Sequence, residues 1–240
     1  MLEKTNAIVI KTTKYSESSL VVKAFTEKFG MRTYMIHGVR KKKSKIPMNL
    51  FQTLSILEMV VYEKNGRAIQ NIKEIKTAKP FQSIHFDFKK TAIALFLNEI
   101  IYKAIGEEET NDHLFHFLVT SLLHLDGLTD HYQNFHIWFL LQFSRHLGFE
   151  PSSNFSDQHS IFDMQEGRYT SIPLPDTISI HPPLSRIFFQ LSQLNEAVIP
   201  LDMNRNQRKI LLNKCLQFYR FHLPGFSDLK SLSVLEEVME

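Results

Sequence analysis

Five cationic side chains fall within eight residues at Gly38 to Lys45, GVRKKKSK: Arg40, Lys41, Lys42, Lys43 and Lys45. Side by side they repel one another and cannot enter a core, so the segment predicts a solvated loop whose natural guest is a polyanion. Each Lys or Arg that neutralises a phosphate releases condensed counterions, which gives affinity without base preference and a steep salt dependence. A plain surface loop or a localisation-type cluster has the same composition. The neighbourhood has to decide. Strand alternation places Arg32, Tyr34 and Ile36 on one face of the preceding segment. If that face is open, Arg32 and Tyr34 supply what single-strand binding needs, a cation for the backbone and a ring for a base. Tyr34 fits equally well as a barrel-wall aromatic. Lys14 and Tyr15 repeat the pairing in the first turn, with Lys23 projecting nearby. The pair Glu17 and Ser18 reads as a turn device rather than a contact.

Competing chemistries lack their motifs. The sequence contains no GxxxxGK[ST] phosphate loop, no GxGxxG, no GxSxG and no HExxH. His113 and His116 stand at i, i+3 with no third ligand at a suitable spacing, which predicts surface histidines. Cys215 is the only cysteine, so a disulfide framework and a cysteine-based zinc site are both excluded; it reads as a small core residue.

Charge divides the 240 residues sharply. Residues 1–80 hold 16 Lys+Arg and 6 Asp+Glu, a formal +10, whereas residues 81–240 hold 12 and 19, a formal −7. This predicts a basic, nucleic-acid-binding domain over 1–80 and a helical domain over 81–240 with other partners. No uninterrupted apolar stretch approaches the roughly 20 residues that span a bilayer, so the expected location is cytoplasmic, without a membrane partner.

The positioning elements follow from periodicity. Five β-branched or aromatic runs, 7–13, 19–26, 31–38, 54–63 and 68–76, are separated by turn signals, Phe29-Gly30 and Asn65-Gly66 among them. A long connection follows the third. That pattern suits a small five-stranded barrel of OB-fold type. Beyond residue 80 the period becomes helical: Ile93, Phe96, Leu97, Ile100, Ile101 and Ala104 form one stripe, and Leu114, Leu118, Leu122 and Leu125 another. Phe135 to Phe143 is apolar nearly all round and predicts a buried central helix, ended at Gly148. Two further helices are expected after Pro183 and from Asn204, then a short final one. The fold class is therefore α+β, a barrel followed by helices, with an irregular insertion at about 149–183.

The run AIVIKTTKYSESSLVVKAFTEKFGMRTYMIHGVRKKKSK, followed by FQTLSILEMVVYEKNGRAIQNIKE, resembles the amino-terminal domain of the RecO family, bacterial DNA repair and recombination mediators. The likeness rests on ordered features: the opening strand into KYSES, the FG turn, the strand ending in HGVRKKKSK, and the hairpin ahead of a helical remainder. It implies an OB-fold, no catalysis, binding of single- and double-stranded DNA, and annealing of complementary strands. It further implies cooperation with RecR, and sometimes RecF, in loading RecA onto DNA coated by single-stranded DNA-binding protein. Arg40, Lys41, Lys42, Lys43 and Lys45 match the family's basic segment and inherit its DNA-contact role. The acidic, apolar-ended tail of single-stranded DNA-binding protein would need an apolar pocket rimmed by cations, for which Arg145, Arg205 and Arg208 are the candidates. Many relatives carry four zinc cysteines after the central helix. Here that stretch, EPSSNFSDQHSIFDMQEGRYTSIPLPD, has none, and Asp157, His159 and Asp163 match no zinc spacing, so no cofactor is expected. On the residues alone, an RNA-binding OB adaptor and a protein-binding scaffold whose basic loop meets acidic partners stay open.

Overall fold

The structure, a computed structural model, describes residues 1–39, 46–64, 66–106, 110–195 and 203–239. Five strands, β1 (Leu2–Lys14), β2 (Leu20–Thr26), β3 (Gly30–Ile36), β4 (Ile56–Tyr62) and β5 (Ile69–Lys79), close into a barrel in the order β1-β2-β3-β5-β4. Every pairing is antiparallel except β3 with β5. This is the OB-like arrangement that the turn signals and the long third connection predicted. Closure depends on β1, which serves two neighbours. Leu2 to Ile8 pair with β4 and Ala7 to Lys14 with β2, and the ladder to β2 shifts register between Val9 and Lys11. A bulge of this kind bends a strand, which lets one segment close both sides of a small barrel.

The interior follows strand alternation. Val9, Leu20, Val22, Ala24, Tyr34, Ile36, Leu57, Met59 and Val61 form its core, and a short 3-10 turn, Met48–Phe51, adds Leu50 and Phe51. At the β2–β3 turn Gly30 takes φ 64°, a conformation a side chain would strain. Thr26 Oγ1 locks it by accepting from Phe29 N at 3.0 Å and donating to Gly30 O at 2.8 Å.

The described residues divide into two compact units, Met1–Gly127 and Leu128–Glu240. Besides the barrel, the first holds helices α1 (Phe88–Ala104) and α2 (Asp112–Gly127). Asn98 on α1 donates Nδ2 to Ile10 O at 3.0 Å, and Phe115 on α2 meets Phe25 of the barrel with ring centroids 6.0 Å apart. The connection from β5 is clamped by Asp126, whose carboxylate accepts from the backbone N–H of Gln82, Ser83 and Ile84 at 2.8, 2.8 and 2.9 Å. Burial alone would raise that carboxyl; the three amides outweigh it and hold it below the usual carboxylate range. The buried Lys90 completes the clamp, with Nζ on Ser83 Oγ at 2.6 Å and Asp126 O at 2.9 Å.

The second unit is built around α3 (Phe135–His146), in which every residue from Phe135 to Ser144 is buried. A helix apolar on all sides must lie inside. Gly148, at φ 84°, ends it, with Phe149 N donating to Ser144 O at 3.1 Å. Around it lie α4 (Leu184–Gln193), α5 (Arg205–His222) and α6 (Ser231–Val238). The stretch expected to be irregular contains a small sheet, β6 (Ile161–Asp163), β7 (Arg168–Thr170) and β8 (Ser179–Ile180), in the order β7-β6-β8. Two- and three-residue strands leave no periodic signal in a sequence. Aromatic packing holds them: Phe162 lies 4.9 Å from Tyr169 and 4.6 Å from Phe188, while Phe155 stacks on Phe189 at 4.9 Å. Among the described residues no helix is long and apolar enough to cross a membrane.

Candidate nucleic-acid interface

Some of the barrel's cations are paired. Lys4 of β1 and Lys76 of β5 share Glu58 of β4 at 3.1 and 3.0 Å, and the hydrogen bond from Lys76, then that from Lys4, holds the Glu58 carboxyl below its ordinary value. Lys28 meets Glu3 at 3.3 Å. On the β1–β2 hairpin, Lys11 and Lys14 are exposed and make no ion pair among the described residues. Tyr15 follows directly, with 67% of its surface exposed. The turn that carries it is fixed by the Ser16 hydroxyl, which accepts from the N–H of Ser18 at 3.4 Å and of Ser19 at 3.1 Å. Lys23 lies half-buried on β2, directly across from Lys11.

The face of β3 expected to be open is the interior face. Tyr34 is fully buried in the barrel core beside Ile36, so its ring is not available to a base, which corrects the stacking role expected for it. Burial raises its phenol above the ordinary value, and nearby Glu63 adds to the shift. Arg32, on the same face, is half-buried with Nε 3.2 Å from Glu63 Oε1, and is thus engaged by the barrel instead of open to a ligand. The cause is closure: β3 pairs with both β2 and β5, so one of its faces has to line the interior, and the one carrying Tyr34 and Ile36 does. Arg40, Lys41, Lys42, Lys43 and Lys45 lie outside the described residues. Val39 and Ile46, which bracket them, both pack in or against the barrel core.

In the second unit, a shallow open groove runs between α5 and α6. Leu212, Leu235 and Met239 give it an apolar lining, and Arg205, Arg208 and Lys209 a cationic one. Arg208 is aimed by two hydrogen bonds, Nε to Asn134 Oδ1 at 2.9 Å and Nη2 to Met203 O at 3.2 Å, and burial lowers its pKa. Lys209 Nζ is 3.5 Å from Glu236 on the facing helix. The neighbouring His136 is buried and neutral, burial and then the Arg208 charge lowering its pKa to about 3. Arg145, the third rim candidate, stands elsewhere: its guanidinium binds Ser192 O at the end of α4 and Glu150 at 3.2 Å. Lys209 occupies the rim in its stead. The groove thus gathers Arg205 and Arg208 with Leu235 and Met239, residues that no local spacing connects.

No group of three or more His, Cys, Asp or Glu side chains among the described residues is placed to hold a metal. Cys215 is buried, and burial raises its thiol far above the reactive range.

Comparison with known proteins agrees with this geometry. Residues 1–81 match the family described as Recombination protein O N terminal, and residues 85–160 the one described as Recombination protein O C terminal. The chain is 38% identical over 237 residues to the DNA repair protein RecO of Flavobacterium psychrophilum, covering 98% of both chains. It is 38% identical over 244 residues to that of Bacteroides fragilis and 27% over 245 residues to that of Porphyromonas gingivalis, in each case across 100% of both. A basic OB-like barrel followed by helices, matched along its whole length, places this chain in the RecO family of DNA repair proteins.

Proposed function

We propose that this chain is a non-catalytic, cytoplasmic and nucleoid-associated mediator that binds single- and double-stranded DNA and anneals complementary strands. With RecR, and in some settings RecF, it helps load RecA onto DNA coated by single-stranded DNA-binding protein. The observation that carries this reading is the set of exposed cations beside an exposed ring on the β1–β2 hairpin. Lys4 and Lys76 are paired with Glu58, while the hairpin offers exposed Lys11, Lys14 and Tyr15. The basic segment, Arg40 to Lys45, adds five cations. Two strands whose phosphates are neutralised on one surface repel each other less, and exposed rings keep bases unpaired and available.

The groove between α5 and α6 supplies the second half of the mechanism. An acidic peptide ending in apolar residues can seat its end on Leu212, Leu235 and Met239 while its carboxylates meet Arg205, Arg208 and Lys209. That chemistry suits the tail of single-stranded DNA-binding protein, which would bring the barrel to coated DNA.

A salt series on a single-stranded DNA and an RNA of the same sequence tests the nucleic-acid half. Changing Arg40, Lys41, Lys42, Lys43 and Lys45 to Ala should flatten the slope of log affinity against log salt by up to about 3.5, roughly 0.7 for each phosphate of a single strand that is no longer neutralised. An unchanged slope removes the segment from the interface. Strong preference for the RNA would favour an RNA adaptor.

A further inference from the structure

A ring on the first helix belongs to the same surface, and no sequence feature marks it. Lys11 and Lys23 stand directly opposite each other on β1 and β2, where like charges oppose sheet pairing. Both ammoniums lie over the ring of Tyr102, Lys11 Nζ at 5.6 Å and Lys23 Nζ at 5.2 Å from its centroid. Attraction to the ring face draws the two charges to one place instead of letting them diverge into solvent.

The placement is built into the fold. Ile10 sits where the β1–β2 ladder shifts register, and its carbonyl accepts from Asn98 Nδ2 at 3.0 Å. Asn98 and Tyr102 are four residues apart on α1, hence on one face of the helix. The bond that fixes α1 to the strand thus delivers the ring to the lysines. Tyr102 nevertheless keeps 39% of its surface exposed. In the other direction, strand alternation carries the outward face of Lys11 to Thr13, and the exposed Tyr15 opens the turn just past the end of β1. The paired cations thus lie against one ring, with a second exposed ring following at the hairpin turn.

We propose that Lys11, Lys23 and Tyr102 form a phosphate-and-base subsite for single-stranded nucleic acid at the seam of the β1–β2 hairpin and α1, continuous with Tyr15. The proposal rests on the nucleic-acid reading above and gives it a specific contact. A backbone phosphate bridges the two ammoniums, and the adjoining base stacks on the exposed part of the Tyr102 ring. A duplex can use the cations, but its paired bases present no free face to the ring. Single strands are therefore the ligand that uses the whole subsite.

The test is fluorescence anisotropy on the full chain with a labelled oligothymidine and with a duplex of equal length. Tyr102→Leu should weaken single-strand binding about 5- to 10-fold, change duplex binding less than about 2-fold, and leave thermal stability close to wild type; Tyr102→Phe should bind as wild type. Lys11→Gln with Lys23→Gln should reduce the single-strand salt slope by about 1.4. Wild-type single-strand affinity in Tyr102→Leu, at full fold, overturns the proposal while leaving the broader reading intact. Equal losses on both ligands would also overturn it, since they indicate a surface that reads charge alone, as an acidic protein partner would. A wild-type chain that binds neither oligonucleotide removes the nucleic-acid reading and the subsite together.

Discussion

Tyr34 offers a sharp discrimination between two roles that a strand aromatic can have. Its ring is fully buried in the barrel, and its hydroxyl is a buried atom with no hydrogen-bond partner among the described residues. Thr26 Oγ1 lies close enough to bear on its pKa, but it already accepts from Phe29 N and donates to Gly30 O, so it holds the phenol weakly at most. A buried hydroxyl left unsatisfied costs about 1–3 kcal/mol, so Tyr34→Phe, which removes it and keeps the ring, should leave the barrel as stable as before or more stable by up to about 1 kcal/mol. Tyr34→Leu changes shape in a packed core and should cost about 1–3 kcal/mol. Were the ring a stacking platform, its loss would remove about 1–3 kcal/mol per base, a fall of roughly 5- to 150-fold in single-strand affinity. A wall residue predicts a change under about 2-fold. Chemical denaturation gives the stability of both variants, and anisotropy on a single-stranded oligonucleotide, at a temperature where each is folded, gives the affinity. A folded Tyr34→Leu that binds ten times more weakly would refute the interior assignment of this face.

Other expectations concern the second unit. Arg205→Ala combined with Arg208→Ala should weaken an acidic, apolar-ended peptide by about 10-fold or more, since charge-assisted hydrogen bonds contribute about 1.5–3 kcal/mol each; unchanged affinity by calorimetry removes the groove as its dock. Glu236→Gln should instead tighten the same peptide about 2- to 3-fold, because Glu236 competes with the ligand for Lys209; a weaker complex would mean that Glu236 helps hold the peptide. His136 is neutral in the folded chain, with its pKa lowered from 6.5 to about 3 by burial and then Arg208. The unfolded chain thus binds the extra proton across that interval, and stability should fall as pH drops from about 6.5 towards 3, by up to about 1.4 kcal/mol per pH unit. His136→Gln should flatten that slope in denaturant titrations, and an equally steep slope would show that other groups carry it.

How much of the molecule is legible in its sequence depends on how local each signal is. Five β-branched runs, the FG turn and the apolar stripe around Phe96, Leu97, Ile100 and Ile101 are short-range patterns, and each forms the element expected. The side on which Tyr34 lies is not local. Either face of β3 could line a barrel until the pairings with β2 and β5 close it. Arg145 fails as a rim residue for a related cause, since convergence with Arg205 depends on helix packing across some 60 positions of sequence. Lys209 reads in the sequence with Arg205, Arg208 and Lys214 as cations at the amino end or flank of one helix, a second basic patch or a solvated face, and the residues that make it part of a groove come from α6. Tyr102 is invisible in the same way: it meets Lys11 and Lys23 only because Asn98 bonds to a carbonyl nearly 90 residues earlier. The sheet of β6, β7 and β8 has strands too short to show alternation, and side-chain packing around Phe162 and Tyr169 marks it more clearly than backbone pattern does.

The central claim is that the basic barrel brings complementary strands together. Annealing of two complementary DNA oligonucleotides measures this directly, with the wild type against a folded variant carrying Ala at Arg40, Lys41, Lys42, Lys43 and Lys45, on bare strands and on strands coated with single-stranded DNA-binding protein. Acceleration by the wild type that the variant largely loses, on both substrates, is the predicted result. If neither protein accelerates annealing although both are folded, the mediator function is contradicted for this chain.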